Sequence, residues 1–497
     1  MEGTIYYSPF LLLLPLLFLV AKYFNPWKPS KSLPLPPGPY PWPIIGNILS
    51  MGNKPRHVTL TQLAKSYGPL ISLRFGSQLL IVGSSADVAM EILKTNDQIF
   101  SARYVPQAIA PKISEIETLP VGWTPECNDR WKYIRSFLQV ELFSGKALKT
   151  QACRREKRVM DMLEFIRSME GNPVHIGELM FAVVYNLMGA VLLSRDIVNL
   201  KDGSMNGEVI RLVRAVMESG AAPNISDFFP FLAGLDLQSI RKRRKELRSK
   251  LLRIWSPIIK QRRETRKEAE ALSKDDFLDA MISNNFTDAQ INSTLLELFG
   301  AGSDSSATTI GWAMAELVRN PEVMKKVREE VSKECYQNVV PEEVVTQFPY
   351  LQACIKETLR LHPPGPFILP HRALKTCQVM NYTIPKNSLV SVNIWAIGRD
   401  PAYWEDPLSF KPERFLNSKL EFLGNDFEYI PFSAGRRICP GLPMAAKMVP
   451  LVLSNLIHFF DWVLPDGIKP NDLDMSEKAQ FLVQKNEPLN VIPKARK

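Results

Sequence analysis
The chain has 497 residues, and 61 Lys and Arg against 51 Asp and Glu leave a formal net charge of +10. Hydrophobic residues at 45% and charged residues at 23% exclude wholesale disorder and a collagenous repeat, and six Cys in so long a chain exclude a disulfide scaffold. A basic chain invites a nucleic-acid reading, so the location of the charge decides what it means.

In chain order, the first element is Ile5–Phe24, a twenty-residue apolar stretch whose only charge is Lys22. As a helix it spans about 30 Å, the thickness of a bilayer core. Glu2 is the one charged side chain before it, whereas Lys22, Lys28 and Lys31 follow, which orients the remainder toward the cytosol. A cleaved secretory signal would have a shorter apolar run, a basic residue ahead of it and small residues at the cut. Residues 1–24 are therefore expected to be a membrane anchor, and the sequons at Asn224, Asn285, Asn292 and Asn381 to stay unmodified. Residues 25–43 read as a linker. Its stretch Pro34–Pro43 holds six prolines in ten residues, which makes it a stiff extended spacer. From residue 44 to 497 no further linker, low-complexity tract or repeat interrupts the sequence, so one large folded unit is expected.

Trp131-Lys-Tyr-Ile-Arg135 places a Trp and an Arg one helical turn apart. Arg241–Lys267 carries thirteen Lys and Arg and two acids, +11 in all, so the other residues net about −1. Within it Leu247, Leu251, Leu252, Trp255, Ile258 and Ile259 recur at helical spacing, and Pro257 is expected to bend the helix. No aromatic residues alternate with the charges and no zinc-finger or RNA-recognition signature accompanies them, so no nucleic-acid partner is expected. A solvated face or contact with an anionic surface accounts for the charge.

Phe299-Gly-Ala301-Gly302-Ser303-Asp304-Ser305-Ser306 is a run of small residues beside an acid and hydroxyls, equally suited to tight helix packing. Glu357-Thr-Leu-Arg360 sets opposite charges at i and i+3, and Pro412-Glu-Arg414-Phe415 follows. The sharpest signal is Phe432-Ser-Ala-Gly435-Arg-Arg437-Ile-Cys439-Pro-Gly441. Its pattern F-x-x-G-x-R-x-C-x-G has five fixed positions, which chance meets at about three in ten million starting points.

With these motifs in this order, from Pro34 to the C-terminus, the chain resembles the cytochrome P-450 haem-thiolate monooxygenases. The resemblance implies a mainly α fold with small β-sheets, the family's helical prism, preceded by one N-terminal transmembrane helix. It implies haem b, with Cys439 as the axial ligand of its iron. A thiolate there donates electron density that favours O–O cleavage, while Gly435 and Gly441 permit close backbone approach to the sulfur. Trp131, Arg135, Arg372 and Arg437 are implied haem-propionate partners. Glu357, Arg360 and Arg414 form the family's buried triad. Asp304 and Ser305 stand where the family delivers protons to dioxygen, though Ser305 replaces the usual Thr and lacks the methyl that restricts its rotamers. His57, His175, His362, His371 and His458 are dispersed, and contact with packing or a propionate suits His362 and His371 better than metal ligation.

By the same analogy the substrate lies against Arg103–Pro125, Ala221–Leu235, Phe299–Gly302, Pro364–Leu369 and Ala479–Leu482. The candidates within them are Phe299, Ala301, Phe367, Ile368 and Phe481, which suit a small hydrophobic or aromatic molecule. No G-x-G-x-x-G or P-loop is visible, so electrons come from another protein. In the plant microsomal branch, which the wording of Tyr350–Pro364 and Ala396–Pro401 resembles, that donor is the NADPH-dependent diflavin reductase. Lys132, Arg436 and Lys447 are its expected contacts. The implied location is the endoplasmic reticulum membrane, with lipid at the anchor. Within the branch the chain resembles the benzylisoquinoline and tropane alkaloid oxidases, with terpenoid hydroxylases as neighbours. The expected reaction is hydroxylation, the alternative is oxidative coupling or radical rearrangement without oxygen insertion, and the alternative of another class is a non-catalytic membrane haem protein.

Overall fold
The computed structural model describes residues 33–109, 118–200, 207–268, 276–334, 339–465, 467–479 and 482–496. The expected anchor Ile5–Phe24 and the candidate Phe481 lie outside them. The run Pro34–Pro39 forms neither helix nor strand and is docked rather than free. Its prolines lack N–H groups but offer carbonyls: those of Pro36 and Pro37 accept from the Ser72 hydroxyl and amide, and that of Pro34 accepts from the Thr383 amide.

Helix α1 (Arg56–Tyr67) leads into strands β1 (Leu70–Phe75) and β2 (Gln78–Gly83), and β3 (Ala102–Arg103) follows. Helices α2 (Asp129–Leu138), α3 (Gly145–Ser168), α4 (Ile176–Leu193), α5 (Glu208–Ala221) and α6 (Ile240–Glu268) come next. After α7 (Asp288–Glu297), a π-helical segment at Leu298–Ser303 runs without a break into α8 (Asp304–Arg319). Then come α9 (Pro321–Glu334), α10 (Pro349–Leu361), β4 (His371–Arg372) and β5 (Leu389–Val392). Helix α11 (Leu442–Phe459) and the hairpin β6 (Glu477–Ala479) and β7 (Val483–Lys485) follow, and a last strand at Asn490–Ala495 pairs with Phe460–Val463. The main sheet has the order β1-β2-β5-β4-β3, with β2 parallel to β5 and the other neighbours antiparallel.

Helices α4 and α11 are long and apolar enough to cross a membrane, yet both belong to the interior, with 83% and 61% of their apolar windows buried. In α4, fifteen of eighteen residues are buried, because an all-round apolar helix must be sheathed by others. It packs against α3 on one side and α8 on the other, and α8 in turn meets α10 and α11. The basic stretch forms one helix that continues through Pro257, with Leu251, Trp255 and Ile259 buried against α5 and the core. Leu252 points outward instead.

Candidate active site
A cavity of about 1270 Å³ lies between α8 and the loop that precedes α11. Cys439 is in its floor. The loop is held by the Cys439 amide donating to the Phe432 carbonyl at 3.0 Å. Gly435 adopts φ +66°, and a Cβ there would overlap the Leu93 carbonyl, so glycine is required. Burial pushes the Cys439 thiol up, while the Gly441 and Leu442 amides and the Arg135 guanidinium favour the thiolate. Those amides open α11, whose N-terminal dipole also favours negative charge.

The side wall gathers donors. Trp131 and Arg135 from α2, Arg437 from the cysteine loop and Arg103 from β3 all line the cavity. The Arg437 and Arg135 guanidiniums lie 5.0 and 5.6 Å from the Trp131 ring centre. Burial, together with the neighbouring Arg437 and Arg135, lowers Arg103 to about 9. Trp131 Nε1 and Arg103 Nε are buried donors without a protein partner; His371 donates from Nδ1 to the Phe100 carbonyl, which leaves its buried Nε2 an acceptor rather than a donor. Desolvated donors and crowded guanidiniums are costly unless an anion satisfies them. This donor set, above a cysteine floor, fits the two propionates of haem b.

Arg437 spends three of its donors on the carbonyls of Ser101, Val121 and Thr124, and Arg135 donates to Ile438 at 2.6 Å. The expectation for Arg372 needs correction: its guanidinium reaches Asn387 at 3.1 Å and Glu126 at 3.7 Å, away from the cavity wall. The reason is strand parity. Successive residues of β4 face opposite sides, so His371 turns inward, where its Nδ1 meets the Phe100 carbonyl, and β3 sets Arg103 opposite it. His362 is a packing residue, stacked 4.0 Å from Trp312 and bonded to Glu316.

The roof is the π-helical segment and the start of α8. Ala301, Gly302, Ser305, Ser306 and Thr309 face the cavity. The Ser305 hydroxyl donates to the Ala301 carbonyl at 2.6 Å, and Thr309 donates to the Ser305 carbonyl at 2.9 Å. Asp304 is not on the wall. It is buried toward α4, where the Tyr185 hydroxyl donates to it at 3.0 Å, and burial pushes its carboxyl up to about 7. Phe299 also needs correction as a substrate-lining residue: it is fully buried between Tyr185 and Trp255, each ring centre 5.9 Å away. Two positions along the helix set it on the face away from the cavity that Ala301 lines. Phe367, Ile368 and Leu482 do line the cavity, as do Phe228 and Trp123.

Two functional side chains escaped the sequence reading. Arg103 fell within an expected substrate-facing stretch, and nothing local marked it as an anion donor. Glu297 accepts the Val121 and Gly122 amides at 2.9 and 2.6 Å and lines the cavity, with burial pushing its carboxyl up to about 7. It ties the helix to the loop before α2, and a lone acid inside the apolar run Leu295–Phe299 was the available signal.

Away from the cavity, Glu357 receives Arg360 through two bonds of 2.7 and 2.8 Å, Arg414 at 3.0 Å and the Lys411 amide at 2.8 Å. Arg360 also donates to the carbonyls of Gly398, Pro407 and Ser409. The ionic triad is therefore satisfied on every side.

The sequence model described as Cytochrome P450 matches residues 36–492. The chain is 42% identical to corytuberine synthase of Coptis japonica over 484 residues, covering 97% of this chain and 96% of that protein. It is 45% identical over 472 residues to the probable (S)-N-methylcoclaurine 3'-hydroxylase isozyme 2 of the same plant, covering 94% and 95% respectively. A zebrafish cytochrome P450 solved with progesterone superposes with a TM-score of 0.75 at 23% identity, covering 89% of this chain and all of that one, and shows the fold. With the cysteine loop and the donor wall already assembled around one cavity, the conclusion is that this chain belongs to the cytochrome P450 family and is a haem-b monooxygenase of the oxidoreductase class.

Proposed function
We propose that this chain oxidises a small, aromatic plant alkaloid by hydroxylation, using O2 and electrons passed from NADPH by a diflavin reductase. The cavity carries this reading: it sets an apolar chamber directly between Cys439 and a helix opened by Ala301 and Gly302. The relatives named for corytuberine and N-methylcoclaurine support the alkaloid class. Haem, when bound, would supply oxygen activation; Cys439 would ligate its iron, and Trp131, Arg103, Arg135 and Arg437 would hold its propionates. The chain's own residues do the rest. Phe228, Phe367, Ile368 and Leu482 bind the substrate's apolar body and exclude water. Ser305 offers a hydroxyl at the roof, and Asp304 holds a proton one helical step away. Exposed Lys132 and Arg436, paired with Asp129 and Asp97, support reductase docking near the cysteine loop.

Oxidative coupling is the second reading. It is favoured by the Ser305 hydroxyl, which lacks the restraining methyl and is turned back onto its own helix. Microsomes holding the chain and a reductase, given N-methylcoclaurine-type alkaloids under isotopic O2, are expected to yield product carrying one labelled oxygen. Product lighter by two hydrogens and free of label establishes coupling. No NADPH-dependent product across the alkaloid panel overturns the substrate class.

The same proposal includes anchoring in the endoplasmic reticulum membrane through residues 1–24. Its support on the folded part is a set of exposed apolar side chains: Tyr40, Trp42 and Leu49 near the start of the described residues, and Phe231 and Leu235 just after Phe228. The Trp42–Gly46 turn bridges to Phe75, whose ring meets Phe228 at 5.8 Å. The intact chain is expected in the carbonate-washed microsomal pellet. Recovery in the soluble fraction sinks the anchor.

A further inference from the structure
We infer that Tyr185 is a positioning residue for proton delivery, holding the Asp304 carboxyl through its hydroxyl and the neighbouring π-helical segment through its ring. The inference rests on the monooxygenase reading and adds a residue outside the cavity to it.

Three observations converge on this side chain. Tyr185 is fully buried in α4, and its hydroxyl donates to Asp304 Oδ1 at 3.0 Å. Its ring stacks on Phe299 at an interplanar angle of 13°, and Phe299 belongs to the π-helical turn that widens the helix at the cavity roof. Ser305, the next residue after Asp304, faces the cavity. The acid and the hydroxyl of this pair therefore point to different sides of α8, and Tyr185 is what holds the acid on the far side. One side chain governs both the position of the proton source and the geometry of the turn that leads to it.

The charged and titratable groups acting on Asp304 are few. Burial raises its carboxyl, Arg214 of α5 and the Tyr185 hydroxyl lower it, and Glu218 of α5 raises it. A phenol hydrogen bond favours the carboxylate, so removing it makes the acid harder to ionise. The stoichiometry makes this matter. Insertion of one oxygen into a C–H bond consumes O2, two electrons and two protons, and yields alcohol and water. When protons arrive out of step, the same O2, electrons and protons leave as hydrogen peroxide.

Tyr185→Phe separates the two roles, because it keeps the ring on Phe299 and deletes only the hydroxyl. In haem-replete ferric protein without substrate, the infrared carbonyl band of the protonated carboxyl, identified by its loss in Asp304→Asn, is expected to titrate about one pH unit higher in Tyr185→Phe. In turnover, product per NADPH is expected to fall about three- to ten-fold with peroxide making up the difference, a share of the usual general-acid contribution. The alkaline limb of the coupling profile moves upward with the band. Asp304→Asn is the second arm: it leaves the ring stack intact and should abolish that limb, with the double variant no worse than Asp304→Asn alone. A band titrating at the wild-type pH in Tyr185→Phe overturns the inference whatever turnover does. A shifted band with no product from any alkaloid overturns the substrate reading instead.

Discussion

Replacing Glu357 with Ala is expected to abolish recovery of folded, haem-containing protein. The side chain is wholly buried and is the shared acceptor for Arg360, Arg414 and the Lys411 amide. Its removal leaves the Arg360 guanidinium fully desolvated with no counter-charge, a loss of about 3–5 kcal/mol for one broken partner of a buried pair. That is a large fraction of the stability of an ordinary domain. The damage spreads because the same guanidinium ties the carbonyls of Gly398, Pro407 and Ser409 to α10. Arg414→Ala should cost less, since its side chain keeps some contact with water. Haem content and thermal melting of purified protein decide the matter. Haem-replete Glu357→Ala that melts at the wild-type temperature would contradict it.

Cys439→Ala is expected to give the opposite dissociation, with folding kept and chemistry lost. The thiol faces the cavity, and the loop around it is fixed by other groups: the Phe432 carbonyl, the three carbonyl bonds of Arg437 and the Arg135 bond to Ile438. The carbon-monoxide difference spectrum of the reduced variant should lack the thiolate-type Soret shift seen in the wild type, and reductase-supported turnover should fall to background. A wild-type protein without that shift refutes the role of Cys439, as does a Cys439→Ala variant that retains it.

These two residues differ in how they could be recognised. Cys439 was legible because its surroundings are local: the glycines, Arg437 and the amides that face the sulfur all lie within a few residues of it. Glu357 was readable only through its match to a family pattern, because its partner Arg414 arrives from 57 positions away. The basic helix shows the same division. Its extent followed from periodicity and charge, but not that Arg262 would turn inward to Asp276 and Asp279, each at 2.9 Å, or that Arg263 would pair with Asp288. Part of the basic charge of the helix is thus spent within the fold.

What the sequence by itself determined is the chemistry: a cysteine loop with obligatory glycine, and a helix with small residues, an acid and a hydroxyl; the mainly helical body was implied by the family resemblance. Each motif is written in contiguous residues, where spacing converts directly into geometry. What the tertiary structure decided is which neighbour faces the cavity. Arg372 and His371 differ by one step of a strand, and Phe299 and Ala301 by two steps of a helix, and in each pair one expected residue, Arg372 or Phe299, turned away from the cavity. Only the docking of β3 beside β4, and of α4 against α8, settles those directions, because a side chain's facing is set by the partner its element packs against.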